Sequence, residues 1–306
     1  MKKNITLFLL AFIIMGLAFS GCQINKNVIK DQNHGKKLTV YTSFFTMYDF
    51  ARKIGGDKIN LINLVPAGTE PHEWEPSPKD IAGLENADLL IYNGAGMEGW
   101  IDRILASISN SKLTTVEAAK GLRLVGNTAA DNLQYDPHVW LNPMLAQKQM
   151  EVIKDSFVTA DPANKEYYEK NFQENTKKVN ELNQKYKAVL SKSKKRDIIV
   201  AHRAFGYLVA AYGLNQVSIE GLSADSEPTP ARMAEIAKFA KENNVKYIFF
   251  EELISPKVAD AIAKEVGAKT EVLDPFEGPK EGKSVAEYDY FSVMTKNLEA
   301  LKKALS

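Results

Sequence analysis

Hydrophobic and polar positions alternate in short blocks along most of this chain. LTVYT at 38–42 has the period-two pattern of a strand. FFTMYDFARKIGG at 44–56 changes to a helical period and stops at its glycine pair. INLINLV at 59–65 returns to the strand pattern and ends at Pro66. A polar loop, AGTEPHEWEPSP, leads into a helical stretch at about 79–86, and ADLLIYN at 87–93 is a third strand closed by the GAG turn at 94–96. Strand, helix, strand, helix at this spacing predicts a parallel sheet covered by helices. The pattern then lapses into a loop-like region as far as Pro143, after which 144–157 is helical.

From Asp161 and Pro162, a cap followed by a proline in the first turn, the chain is helical and polar-rich to about Lys194. That stretch has no glycine and no interior proline, and at 1.5 Å per residue it would reach about 45 Å. Such a helix is longer than a small domain is wide, which predicts a strut between two lobes. The second half then repeats the alternation: strands at 197–201, 216–219, 247–251 and 269–273, and helices at 204–212, 231–243, 256–266 and 289–305. The repeat is one of pattern, not of sequence. The expected fold is therefore α/β: two α/β lobes, each a mostly parallel sheet flanked by helices, bridged by one long rigid helix. The expected boundaries are 37–160, 161–194 for the helix, and 195–306.

The N-terminus changes the picture of where the chain works. Lys2 and Lys3 precede an apolar run at 5–19, long for a signal segment but short of the roughly 20 residues of a membrane span. Ser20 and Gly21 then lead to Cys22, the only cysteine, and the sequence turns polar at once. The junction resembles a bacterial lipobox, with Phe19 where most carry Leu. The resemblance implies a signal peptide at 1–21, lipidation of Cys22, and a flexible tether at 22–36 that holds an extracytoplasmic domain on the membrane. With Cys22 so used, the folded part has no disulfide, and its roughly 270 residues are enough to bury a large core without one. Charge is nearly balanced, 39 basic against 38 acidic residues, and no aromatic-interleaved basic patch suggests nucleic acid. The run Lys192, Lys194, Lys195, Arg196 complements the dipole at the end of the long helix.

Four histidines are present. His34 lies in the tether; His72, His138 and His202 each lie in a loop after a strand or before a helix. Glu277 follows the last strand, in DPFEGP. Ligands of α/β sheets bind beyond the carboxyl ends of strands. Two of these residues come from each half, so a site using all four lies between the lobes. Their separations match no local zinc motif such as HExxH. The residues alone thus point to a His-rich interlobe site and no further.

The segments PAGTEPHEWEPSPKDIAGLENADLLIYNGAGMEGW, DPHVWLNP, VAHRAFGYLVAAYGL, EGLSADSEPTPARMAEI, FFEELISPKVADAIAKEVGAK and VLDPFEGP occur in that order. From about Leu38 to its end, the chain resembles the zinc- and manganese-binding receptors of bacterial ABC transporters. The resemblance implies a TroA-like fold with a metal in the cleft. It places His72 and His138 as the first two ligands, and His202 at a third position where zinc receptors carry His and manganese receptors Glu. The fourth position falls in LDPFEGP, where Glu277 matches the glutamate of four-ligand zinc receptors and Asp274 is its rival. Three imidazoles and one carboxylate suit one tetrahedral Zn2+ better than Mn2+, which prefers more oxygen. Four protein ligands would close the shell, whereas a catalytic zinc keeps an open position, so a receptor and not an enzyme is expected.

Around these ligands, Asp136 and Glu70 are candidates to orient an imidazole through its other nitrogen. Trp74 and Trp140 are candidate walls of the site. Glu251 and Glu252 read as cap or solvated charges, and Glu227 as a helix cap. The stretch GLRLVGNTAADNLQYD has no histidine, so the metal-collecting loop of many zinc receptors is missing. The functional expectation is an extracytoplasmic, monomeric zinc receptor delivering its ion to an ABC importer. The chain has no GxxxxGK[ST] segment and no set of membrane spans, which assigns the permease and the ATPase subunit to other polypeptides. The alternatives are a manganese receptor of the same family, a surface adhesin, and a zinc hydrolase with Glu70 or Glu73 as general base.

Overall fold

A computed structural model of the protein describes residues 36–127, 133–222, 228–283 and 287–306. The signal segment, Cys22, His34 and Glu227 lie outside the described residues. In the first lobe, strand β1 (Leu38–Thr42) lies between β2 (Ile59–Asn63) and β3 (Leu89–Tyr92), with β4 (Thr114–Glu117) beyond β3. In the second, β5 (Asp197–Val200) lies between β6 (Asn215–Ser218) and β7 (Tyr247–Phe250), with β8 (Lys269–Val272) beyond β7. Every pairing is parallel. The two sheets therefore share one strand order. In each, the order turns back between two central strands, β1 and β3 or β5 and β7, and loops leaving such a point frame a ligand crevice.

Local chemistry explains the helix ends. α1 (Phe45–Gly55) follows β1 directly. α2 (Pro78–Leu84) starts with a capping box between Ser77 and Asp80 and a proline in its first turn. α7 (Pro230–Glu242) also has a proline in its first turn, and the Thr229 side chain accepts from the Arg232 N–H. α6 (Gly206–Tyr212) and α8 (Lys257–Val266) end on Gly213 and Gly267, which take left-handed φ values of 66° and 69°. α9 (Tyr290–Ala304) is capped by Asp289.

The loop-like region expected before Pro143 contains two elements, α3 (Ile101–Ser107) and β4. Both are short, and each buries a single side chain, Ile104 in α3 and Val116 in β4, which leaves too little periodicity to read. The next helix, α4 (Pro143–Ala160), is longer than expected at 18 residues. The strut starts later: Pro162–Asn164 form a 3-10 turn, and α5 (Lys165–Leu190) follows with 26 residues, or about 39 Å. It buries Tyr168, Asn175, Val179, Leu182, Tyr186 and Leu190, spaced by three, four or seven along one face.

The strut does not merely span the lobes; it shares a core with both. One apolar cluster runs from Val40, Phe50 and Phe157 through Val179 and Tyr186 to Val200, Leu208 and Met294. Separate outer layers pack Leu84, Leu90 and Trp100 under the first sheet, and Ile199, Ile236 and Ile262 under the second. Hydrogen bonds cross the same seam: Tyr186 Oη donates to Met294 O at 2.7 Å, and Asn171 Nδ2 to Ile54 O at 2.9 Å. Wide separation of the lobes would expose several such side chains, at about 1.5–3 kcal/mol each.

Candidate metal centre

His72 comes from the loop between β2 and α2, and His138 from the turn that precedes α4. His202 stands two residues beyond β5, and Glu277 lies in the loop between β8 and α9. The structure brings all four side chains together, with one donor atom from each inside a 4.8 Å cluster. His72 Nε2 is 3.2 Å from His138 Nε2, and His202 Nε2 is 3.3 Å from the same atom. Glu277 Oε1 is 3.5, 3.1 and 3.7 Å from the Nε2 atoms of His72, His138 and His202. A tetrahedron with zinc bonds of 2.0–2.1 Å has edges of about 3.3–3.4 Å. Five of the six donor separations are near such edges, and the sixth, between His72 and His202, is within 4.8 Å. The residues fit the ion in chemistry as well as in spacing.

The other ring nitrogens show which tautomer faces the centre. His138 Nδ1 lies 2.8 Å from Asp136 Oδ1, and His202 Nδ1 lies 2.5 Å from Glu251 Oε1. A proton held on His138 Nδ1 leaves its Nε2 lone pair aimed inward, toward the Nε2 atoms of His72 and His202. Only a cation relieves that arrangement. In the metal-free chain a proton stands in. Burial would lower His138, but hydrogen bonds to Asp136 and Glu277 outweigh it and lift the imidazole to about 10. Burial would raise Glu277, but bonds from His138 and His72 hold it well below the carboxylate range. His202, buried without such compensation, falls to about 4 and stays neutral.

The loop carrying Glu277 is held from both lobes. Trp140 Nε1 donates to Pro275 O at 2.6 Å, and Thr46 Oγ1 donates to Phe276 O at 2.5 Å. Phe276 has a left-handed φ of 62°, costly for a bulky residue, and its ring is stacked on Tyr288 at 5.1 Å. That conformation turns the next side chain, Glu277, into the cluster. On the other side, Gly68 N–H donates to Pro279 O at 2.8 Å, joining the His72 loop to the Glu277 loop. Asn93 Nδ2 donates to Pro137 O at 2.9 Å and fixes the approach to His138.

Other expected residues lie elsewhere or act differently. Asp274 accepts from Phe276 N–H and Tyr288 Oη, both at 2.8 Å, and is outside the cluster; it braces the loop. Glu70, a candidate either to orient an imidazole or to cap its loop, does the second: its Oε2 accepts from the backbone N–H groups of His72 and Glu73. Trp140 lies against the His138 ring at 5.3 Å, whereas Trp74 packs edge-on to Trp100 in the outer layer. Glu252 pairs with Lys283 at 2.9 Å near the surface.

Glu251, expected to be a cap or solvated charge, is only 3 % exposed and backs His202. Burial holds it well above the ordinary carboxylate range. Its place follows from register: Val200 pairs with Phe249, so the residues two steps beyond that pair, His202 and Glu251, stand side by side. Strand order is the information that the sequence lacked. Glu251→Gln keeps the shape and replaces the carboxyl group behind His202 with an amide. It is expected to weaken zinc binding about 10–100-fold, by calorimetric titration, with an unchanged circular-dichroism spectrum.

Comparisons agree with this geometry. The profile of the family ZnuA, zinc-uptake complex component A periplasmic, matches residues 40–304. The high-affinity zinc uptake system protein ZnuA of Bacillus subtilis (strain 168) is 42% identical over 99% of this chain and 98% of its own length. The zinc-binding lipoprotein AdcA of Streptococcus pneumoniae is 39% identical over 87% of this chain, which spans only 55% of AdcA. The crystal structure of the Zn(II)-bound ZnuA-like domain of AdcA has a TM-score of 0.78 and 40% identity, covering 88% of this chain and 99% of that domain. The laminin-binding protein Lmb of Streptococcus agalactiae, described as bifunctional with adhesin and metal-transporting activity, has a TM-score of 0.80 at 34% identity, over 89% of this chain and 100% of Lmb. With its two like-ordered parallel sheets, its bridging helix and a profile match over nearly all of its folded length, this chain belongs to the ZnuA family of zinc-uptake components.

Proposed function

We propose that this chain captures Zn2+ outside the cytoplasm, in the cleft between its lobes, and delivers it to an ABC importer. One observation carries the reading: three imidazole nitrogens and one carboxylate oxygen lie within 4.8 Å of one another, and His138 Nε2 and Glu277 Oε1 each stand 3.1–3.7 Å from the other three donors, close to the edges of a zinc tetrahedron. His72, His138, His202 and Glu277 are the ligands, and zinc is cargo. Four protein donors leave no position for an attacking water, so the site is built to hold an ion and not to hydrolyse a substrate. Manganese would meet too many nitrogens and too few oxygens. Elemental analysis with zinc and manganese titrations of the stripped chain tests the reading. One tightly bound zinc per chain is the expected result, and a preference for manganese would overturn it.

Zinc must displace the proton that His138 holds. His138 keeps that proton up to about pH 10 in the metal-free chain, so at neutral pH each bound zinc releases one proton from it. Lower pH restores the proton and weakens binding. Apparent affinity is expected to fall about tenfold per unit from pH 8.5 to 7. Calorimetry in two buffers of different ionisation heat measures the release, and identical binding heats in both would contradict it.

The relatives' roles support the remaining assignments. A permease and an ATPase subunit on separate chains take the zinc onward, and the receptor works as a monomer. Residues 1–21 leave as a signal peptide, Cys22 receives lipid, and 22–36 tether the lobes at 37–160 and 195–306, joined by 161–194. Metabolic lipid labelling that persists in Cys22→Ser would sink the anchor. The likeness to Lmb favours adhesion as a second role, measured by binding of the zinc-free chain to laminin-coated surfaces.

A further inference from the structure

Glu70 has one oxygen more than its loop needs. Its Oε2 accepts from the backbone N–H groups of His72 at 3.0 Å and Glu73 at 3.3 Å, which completes the capping work. Its Oε1 is buried, has no hydrogen-bond partner among the described residues, and lies 4.0 Å from His72 Nε2. A buried carboxylate oxygen without a partner calls for a positive charge. The side chain keeps 17 % of its surface exposed, against 3 % for His72 and 2 % for Glu277 and none for His138 and His202. Glu70 is thus the outermost of the groups around the centre. His72 Nε2 is thus within reach of two carboxylate oxygens, Glu277 Oε1 at 3.5 Å and Glu70 Oε1 at 4.0 Å.

We infer that Glu70 Oε1 is a transfer ligand, a fifth donor that zinc engages between solvent and the four resting ligands, both on arrival and on release. The inference rests on the zinc-receptor reading of the same site. Zinc expands readily from four to five donors, so an ion can gain Glu70 before it loses one of the others. A single carboxylate at the rim also raises the local cation concentration. A ligand that lowers the barrier in both directions speeds capture and release together. A resting ligand, or a residue that only shapes the loop, changes the affinity.

Glu70→Gln tests this, because the amide oxygen can still accept from His72 and Glu73 N–H while the inward oxygen is replaced by a poor metal donor. Stopped-flow zinc capture and chelator-driven release are measured for the wild-type chain and the variant. The expected result is one zinc per chain in both, with the two rate constants falling together by about tenfold. Unchanged rates would overturn the inference. Faster release with a matching loss of affinity would do so too, by making Glu70 a resting ligand or a loop brace. Glu70→Asp, which keeps the charge with a shorter reach, is expected to recover part of the capture rate; no recovery would assign the effect to the loop. Failure of the wild-type chain to bind zinc would take down the receptor reading with this one, whereas the other outcomes leave that reading standing.

Discussion

His202→Ala is expected to lower zinc affinity roughly 100- to 1,000-fold. Structural four-ligand zinc sites gain about 10–16 kcal/mol on binding, so one ligand in four accounts for roughly 2.5–4 kcal/mol. At about 1.4 kcal/mol per tenfold, that is two to three orders of magnitude. His202 is neutral in the metal-free chain, since burial keeps it unprotonated down to about pH 4. Its removal therefore takes away a donor and not a charge. The variant also strips Glu251 of the group it backs at 2.5 Å. Zinc at a hundred times its Kd stabilises the wild-type chain by about 2.7 kcal/mol, whereas a variant weakened a hundredfold gains only about 0.4 kcal/mol at that concentration. Titration calorimetry gives the affinity, and thermal melts with and without zinc give the second number independently. A variant that binds zinc as tightly as the wild type would remove His202 from the ligand set.

The four clustered side chains were legible in the sequence for a simple reason. Each histidine of the folded part follows a strand or precedes a helix, and such positions in α/β lobes face the ligand crevice. The resemblance then singled out Glu277, and the structure brings it into the cluster while Asp274 braces the loop two hydrogen bonds away. What stayed hidden depends on contacts between distant segments. Glu251 looks like a surface charge until β5 and β7 are known to be neighbours in register. Trp74 looks like a site wall until α3, a helix with one buried residue, is found to present Trp100 to it. Glu70 and Asp136 look alike on paper, each two residues before a histidine. Each accepts from the backbone N–H of its histidine at 3.0 Å, but Asp136 also reaches the ring at 2.8 Å, whereas the second bond to Glu70 comes from the Glu73 amide.

The largest effect on stability is expected from Trp140→Ala, a loss of about 3–5 kcal/mol. Trp140 has no exposed surface, and its ring lies 5.2 Å from Phe44 and 5.3 Å from His138. Truncation leaves a cavity in the shared core, which the strut and both sheets can fill only in part. It also removes the donor to Pro275 O at 2.6 Å. An orphaned buried carbonyl costs about 1–3 kcal/mol, and that component alone is read by Trp140→Phe, which keeps most of the ring volume. Both losses appear as a lower urea midpoint at unchanged slope. The same residue ties the turn bearing His138 to the loop bearing Glu277, with Tyr290 Oη donating to its own carbonyl at 2.7 Å. Zinc affinity should therefore fall in the alanine variant although no ligand is changed. Saturating zinc should return part of the lost stability, because it binds only the folded chain. An alanine variant that loses less than about 1 kcal/mol would mean that the seam between the lobes adapts far more than its packing indicates. A variant that loses stability but keeps full zinc affinity would show that the two ligand loops are held independently of each other.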